Sequence, residues 1–433
     1  MPSSGTNFNP DTLIKYQEEH ERLKVLLNVA KTIATEINLE NLLQLIVDEV
    51  KKVLKADRCT VFLLDEERKE LWSKVAHGEK EIRFPCHLGI AGYVATTGEV
   101  LNIPDAYADP RFNREIDKKT GYWTRSLLTA PLRNRRGEII GVFQVLNKQD
   151  GPFTVEDEEM LKAISAISAT QIENAQLYEE QKKTFDSLLE TLAATIDARD
   201  PLAAGHSKRI TMYSQELAKI MGMSPKQREI LRCAALLHDF GKIGVRERVL
   251  FKSGDLTEEE YEHIKSHVVF TKNILEKIHF SKDLKEVPKI ACSHHEKLDG
   301  TGYPNRLKGE QIPLGGRILA VVDVFDALTS KRHYRDRMEF EKVMEVLEKG
   351  MGTAFDKDCV AAFKKIKLDV LVKILETDFE DRLDPSDLRI LKDHDVEDLL
   401  KVLRGQWEER KGKPFVEVFL KYYTRSYLGE CVE

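Results

Sequence analysis

A chain of 433 residues is too long for a single hydrophobic core and long enough for two or three domains. Its composition, 42% hydrophobic and 32% charged, is globular and excludes a largely disordered protein. A net charge of −6 excludes bulk association with a nucleic acid polymer, although a local cluster of positive charge still suits an anionic ligand. No apolar run is long enough to span a bilayer, and the polar start (Met1 to Pro10) has neither the basic nor the apolar region of a secretion signal. A cytoplasmic protein without a membrane span is expected. The cysteines (Cys59, Cys86, Cys233, Cys292, Cys359, Cys431) form no CxxC pair, so reduced thiols are expected rather than a disulfide framework.

Taken in chain order, the pattern opens with a helix over Thr12–Ile37, where Leu23, Leu26, Leu27, Ala30 and Ile33 recur at helical spacing. A second helix runs through Leu42, Ile46, Val50 and Leu54. The period then drops to two at Cys59, Val61 and Leu63, and strand-like stretches follow at Leu71–Ala76, Ser126–Pro131 and Ile139–Leu146. Helices flanking an antiparallel sheet predict an α+β domain of sensor size.

Within that region stand Asn102-Ile103-Pro104-Asp105-Ala106, Asp109-Pro110-Arg111-Phe112, Asn147-Lys148 and Phe153-Thr154-Val155-Glu156-Asp157. In this order they resemble the GAF domain, over residues 21–175, with residues 1–20 as a tail and helix start. The resemblance implies a module that takes a small-molecule ligand or acts only in dimerisation and relay, and both readings stand. From Asp157 a helical pattern runs without Gly or Pro to Pro201, making residues 176–200 a connecting helix suited to a parallel homodimer.

Residues 201–368 read as all-α. An apolar helical run (Ile230, Leu231, Ala234, Ala235, Leu237) ends at His238-Asp239, and a capping box of Thr257 with Glu260 opens a helix on which His267 shares a face with Ile264, Thr271 and Ile274. Then come His294-His295, the loop Asp299–Pro304, and Asp323. Nitrogen and oxygen donors without cysteine suit a hydrolytic site of two cations, in which a carboxylate beside an imidazole gives one oxygen to each. The basic run Lys331–Arg337 follows Asp323 closely and points to phosphate contact. Residues 369–433 form a helical, charge-rich extension in which no chemistry is legible.

The runs Ala204-Gly205-His206-Ser207, Leu237-His238-Asp239-Phe240-Gly241-Lys242, His294-His295-Glu296, Asp299–Pro304 and Asp323–Ser330 closely resemble the HD-GYP family, a branch of the HD superfamily that hydrolyses cyclic dinucleotides. The expected architecture is therefore multidomain: an α+β GAF sensor, a long connecting helix and an all-α HD-superfamily catalytic domain. The resemblance agrees with the residues' own chemistry. One divalent cation would take His206, His238, Asp239 and Asp323; the other would share Asp239 and take His267, His294 and His295. His294 and His295 diverge by about 100° on a regular helix, so both reach one ion only at a helix end. Iron or manganese suits these ligands best, with zinc and nickel also compatible.

The resemblance also implies further roles. Lys242 would sit at the reacting phosphate, and Asp326, one turn beyond Asp323, would hold a ligand or the water. Gly302 would let backbone approach a ligand, with Tyr303 stacking on guanine beside Pro304, and Arg332 and Arg335 would contact phosphates. Members with a third metal carry a glutamate four residues before the first histidine, where this chain has Leu202, which implies two metals. The implied activity is a GAF-regulated cyclic-di-GMP phosphodiesterase releasing linear pGpG or GMP. The alternatives are 3′,3′-cyclic GMP-AMP as substrate, or an effector that binds the dinucleotide and signals without turnover. His263 and His279 are read as a surface and a core residue, respectively.

Overall fold

The computed structural model describes residues 10–73, 82–199, 205–252, 254–330, 337–377, 382–407 and 409–424. The chain divides into two compact units, Met1–Thr184 and Phe185–Glu433. Among the described residues no helix is long and apolar enough to cross a membrane, and Cys59, Cys86, Cys233, Cys292 and Cys359 are free thiols.

In the first unit, helices α1 (Pro10–Ile33) and α2 (Leu39–Val53) precede strands β1 (Ala56–Asp65), β2 (Glu70–Ser73) and β3 (Ile82–Pro85). Helix α3 (Gly89–Thr97), strand β4 (Leu101–Ile103), helix α4 (Arg114–Thr120), and strands β5 (Leu127–Arg133) and β6 (Ile139–Lys148) follow, ending in helix α5 (Val155–Arg199). The sheet is antiparallel in the order β3-β2-β1-β6-β5-β4, with Val61 opposite Phe143 and Thr129 opposite Gln144. Alternation divides β1 between two cores. Cys59, Val61 and Leu63 join Leu42, Ile46 and Ile164 on the face covered by α2 and α5, whereas Phe62 turns to Val94 of α3 on the other.

The motif residues that pointed to a GAF domain act here as pins of the fold. Asn147 accepts from the backbone N–H groups of Arg125 and Ser126 and donates to Trp123, Asn102 donates to the Phe153 carbonyl, and Lys148 pairs with Asp157. Strands β3 and β4 were not expected from the sequence.

The second unit is helical: α6 (His206–Ile220), α7 (Pro225–Leu237), α8 (Glu247–Leu250), α9 (Glu258–Leu275), α10 (Val287–Ala291), α11 (Leu314–Thr329), α12 (Phe340–Lys349), α13 (Lys357–Lys364), α14 (Leu368–Leu375), α15 (Pro385–Leu391), α16 (Val396–Leu403) and α17 (Glu409–Tyr423). Helix α9 starts at the expected capping box, Thr257 with Glu260. The helices share one core, from Tyr213 and Phe325 to Phe415 and Phe419, so the extension after residue 368 continues that core. Phe340 packs edge-on to Phe419 at 5.0 Å, and the Tyr423 hydroxyl donates to the Met338 carbonyl at 2.6 Å.

Candidate metal centre

Five imidazoles and two carboxylates converge within the second unit: His206, His238, His267, His294, His295, Asp239 and Asp323. Each comes from a position where local structure aims it. His206 opens α6, whose start has no side-chain cap of its own; instead Ser207 donates through N–H and Oγ to the buried Asp197 carboxylate, at 3.2 and 2.7 Å. His238 and Asp239 leave the end of α7 before a tight 3₁₀ turn over Phe240–Gly244. His267 lies on the inner face of α9, 2% exposed. His294 and His295 follow the end of α10, the helix-end arrangement their adjacency requires.

Three imidazoles are oriented identically. The Nδ1–H groups of His238, His267 and His294 donate to the carbonyl three residues earlier, on Ala235, Ile264 and Ala291, at 2.8, 2.7 and 2.7 Å. This assigns the tautomer that leaves Nε2 as the free lone pair. The Nε2 atoms of His206 and His238 lie 3.4 Å apart, as do those of His267 and His294.

Asp239 stands between the two pairs. Its Oδ2 is 3.7 Å from His206 Nε2 and 3.6 Å from His238 Nε2, while Oδ1 is 3.3 Å from His267 Nε2 and 3.7 Å from His294 Nε2. Asp323 Oδ1 lies 3.5 Å from His206 Nε2. Lys242 places Nζ 2.7 Å from Asp239 Oδ2.

Burial holds His238 and His294 below the usual imidazole range, and lowers His295 to about 4, so these rings are neutral at neutral pH. Burial opposes ionisation of Asp239, but its surroundings, the charge of Lys242 first among them, outweigh it and hold the carboxyl well below the usual carboxylate range. Neutral imidazoles with free Nε2 atoms around an ionised carboxylate form a donor set that fits divalent cations.

Asp326 faces away from this space. Its carboxylate, 1% exposed, accepts from His206 Nδ1 at 2.8 Å, Arg209 Nε at 2.7 Å, Arg209 Nη2 at 3.0 Å and Ser330 Oγ at 3.1 Å. Its bond to His206 bears on one of the two tasks expected of it, holding a ligand. Burial lowers the basicity of His206, yet the hydrogen bond with Asp326 and the surrounding carboxylates raise it overall.

A Cβ at Gly302 would lie 2.3 Å from Lys297 N and 2.6 Å from the His295 carbonyl, so glycine here lets the loop lie close against the chain's own backbone. The Tyr303 ring stacks on His295, centroids 4.8 Å apart, and the Tyr303–Pro304 peptide is cis. Leu202, Arg332 and Arg335 lie outside the described residues. Arg337, the last residue of the basic run, donates to the Tyr423 carbonyl at 3.1 Å.

His263 is half-buried and accepts the Arg246 N–H at 3.1 Å, and His279 is exposed, so neither matches its expected setting. Sequence reasoning missed Arg209, Thr271 and Asp197. Arg209 lies one turn after His206, which was the available signal. The Thr271 hydroxyl donates to the His238 carbonyl at 3.1 Å and accepts the Gly241 N–H at 2.8 Å, bracing α9 against the Asp239 turn.

Residues 190–359 match the HD domain and residues 38–172 match the GAF domain, so the chain carries a GAF domain followed by an HD domain. It is 38% identical over 216 residues to the 3′3′-cGAMP-specific phosphodiesterase 3 of Vibrio cholerae, an alignment covering 49% of this chain and 46% of that protein. It is 36% identical over 195 residues to a cyclic di-GMP phosphodiesterase of Thermotoga maritima, covering 45% of this chain and 53% of that protein. The chain thus spans about half the length of these curated relatives. The crystal structure of the GAF domain from an Acinetobacter phosphoenolpyruvate-protein phosphotransferase aligns at 24% identity, covering 37% of this chain and 98% of that one, with a TM-score of 0.32.

Proposed function

We propose that the second unit is a metal-dependent phosphodiesterase that opens cyclic di-GMP to linear pGpG or GMP, with the first unit as its regulator. The observation that carries this reading is the division of Asp239: one oxygen faces His206 and His238, the other His267 and His294. That arrangement supports two divalent cations, iron or manganese by ligand type, one held by His206, His238, Asp239 and Asp323 and the other by Asp239, His267, His294 and His295. When bound, the pair supplies Lewis acidity toward a phosphoryl oxygen and acidifies water.

The chain's own residues have separable tasks in this proposal. Asp239 spans both positions, and Asp326 with Arg209 holds His206 with Nε2 forward. Lys242, with Nζ beside Asp239, neutralises charge developing on the phosphate. The Gly302–Pro304 loop, Arg332 and Arg335 are assigned to the substrate side, in a catalytic domain over residues 201–368 in the cytoplasm. The unbroken helix α5 supports a relay from residues 21–175 through 176–200 in a parallel homodimer, with any GAF ligand acting at its start.

A second reading, 3′,3′-cyclic GMP-AMP as substrate, is favoured by the relative of that specificity. The test is product analysis by liquid chromatography with both dinucleotides, on protein purified without oxygen and with its metal content measured. Turnover of cyclic di-GMP with about two ions per chain supports the proposal. Binding without product would make the protein an effector, and turnover of the mixed dinucleotide alone would favour the second reading.

A further inference from the structure

Four of the five imidazoles have an oxygen partner at Nδ1: Asp326 for His206, and backbone carbonyls for His238, His267 and His294. His295 differs. Among the described residues its ring has no hydrogen-bond partner, so nothing polar fixes the plane or direction of its Nε2. Its neighbours are rings: His294 tilted at 4.0 Å, His267 edge-on at 5.2 Å, and Tyr303 stacked at 4.8 Å with an interplanar angle of 29°. His294 and His267 are ligands in the same cluster, so Tyr303 alone of these stands outside it.

We propose that Tyr303 is a positioning residue for the His295 ligand, holding the imidazole plane by stacking and so setting the affinity of one cation position. The inference rests on the two-cation reading above. A stacked ring restrains tilt as a hydrogen bond to Nδ1 restrains rotation, and both reduce the freedom lost when Nε2 takes a metal.

The loop that carries Tyr303 is built to keep the ring in place. The Tyr303 N–H donates to the His295 carbonyl at 3.2 Å, tying the stacking ring to the residue it stacks on. The Glu296 carboxylate, 2% exposed, accepts the N–H groups of Asn305 at 2.7 Å and Leu307 at 2.9 Å, which folds the loop back over the His294-His295 turn. Gly302 lets the loop lie against the backbone of residues 295–297. The bonds at Tyr303, Asn305 and Leu307 run to the segment that bears the histidines, while the Asp299 N–H at the start of the loop donates to the Thr353 carbonyl at 2.9 Å. The loop is thereby a clamp on one ligand, which leaves His206, His238 and Asp323 untouched.

The test is a Mn2+ titration of metal-free, full-length protein, with free ion followed by electron paramagnetic resonance. Tyr303→Phe keeps the ring without the hydroxyl; Tyr303→Leu and Tyr303→Met keep apolar bulk without the aromatic plane. In the parent two positions fill. In the Leu and Met variants one is expected to keep its affinity, which also shows that the protein is folded, while the other weakens by roughly 10- to 100-fold; the Phe variant stays within about threefold of the parent at both. Parent-like filling of both positions in the Leu and Met variants, or equal loss at both, overturns the inference while the two-cation reading survives. A parent that binds no Mn2+ overturns that reading and the inference together.

Discussion

The interiors of the two units are built on different terms. Among the described residues, the first unit buries a single charged side chain, Asp117, whose carboxylate is consumed by Thr124 N–H, Thr124 Oγ and Tyr107. The second buries Asp197, Arg209, Asp239, Glu296, Asp326, Asp356, Asp369 and Glu376 together with four histidines. A buried charge is costly unless it is paired and hydrogen-bonded, so a domain that needs only stability leaves its centre apolar. In the second unit Asp239 stands among the candidate ligands, and Asp326 with Arg209 backs one of them, His206, each held by its own partners. Stability and chemistry are thus drawn from different residues, and substitutions should separate them.

The largest effect should come from Asp239→Ala, which removes the one carboxylate facing both histidine pairs. At least one ion should be lost, measurable by elemental analysis, and turnover should fall by at least roughly 10³-fold. Parent-level metal content and rate would refute its assignment. The counterpart in the first unit is Phe143→Ala, at a fully buried position in the sheet. It should destabilise that unit by about 3–5 kcal/mol in thermal or denaturant unfolding, with the metal content of the chain unchanged.

Between these lies Asp326→Asn, which keeps the shape around His206 but removes the charge paired with Arg209. Metal affinity at the His206 position should weaken by roughly 10- to 100-fold, read by Mn2+ titration, with a smaller loss of stability than Phe143→Ala gives. If affinity does not change, Asp326 serves packing alone, and the contrast between the interiors loses its functional meaning.

How far the sequence was legible follows from how local each signal is. His238-Asp239 and His294-His295 are neighbours in the chain and helical spacing turned His267 inward, whereas His206 stands alone and was placed only by the resemblance to the HD-GYP family. The sheet was read where alternation runs long, as in β1 and β6. Strands β3 and β4 span only Ile82–Pro85 and Leu101–Ile103, too short for a period of two to register. The supports were not legible: Arg209 meets Asp326, 117 positions away, and Thr271 meets His238, 33 away. Such pairings leave no local pattern. Nor does the sequence show that Gly302 lies against the backbone of residues 295–297 or that Tyr303 stacks on His295, contacts that depend on how the loop folds back.

The smallest expected effect sharpens the comparison within the second unit, by asking whether a charge away from the metal centre behaves as structure only. Glu348 on α12 receives Arg404 Nη2 at 2.8 Å and also pairs with Lys364, joining α12 to α13 and to the end of α16. Burial pushes its carboxyl up, but the hydrogen bonds from Arg404 and Lys364 more than offset this and hold it below the ordinary glutamate value. A carboxyl depressed in the folded state contributes stability that is fully present above its unfolded pKa and lost as the pH falls through its folded one. Glu348→Gln should therefore cost about 1 kcal/mol at pH 7, with the gap from the parent narrowing as the pH drops below about 5. Urea unfolding of both proteins across that range measures it, and metal content should be the same in both. A gap that stays constant with pH would mean that the carboxylate's charge is not what joins these helices. A change in bound metal would mean that the functional network reaches further from Asp239 than the contacts around Asp326 indicate.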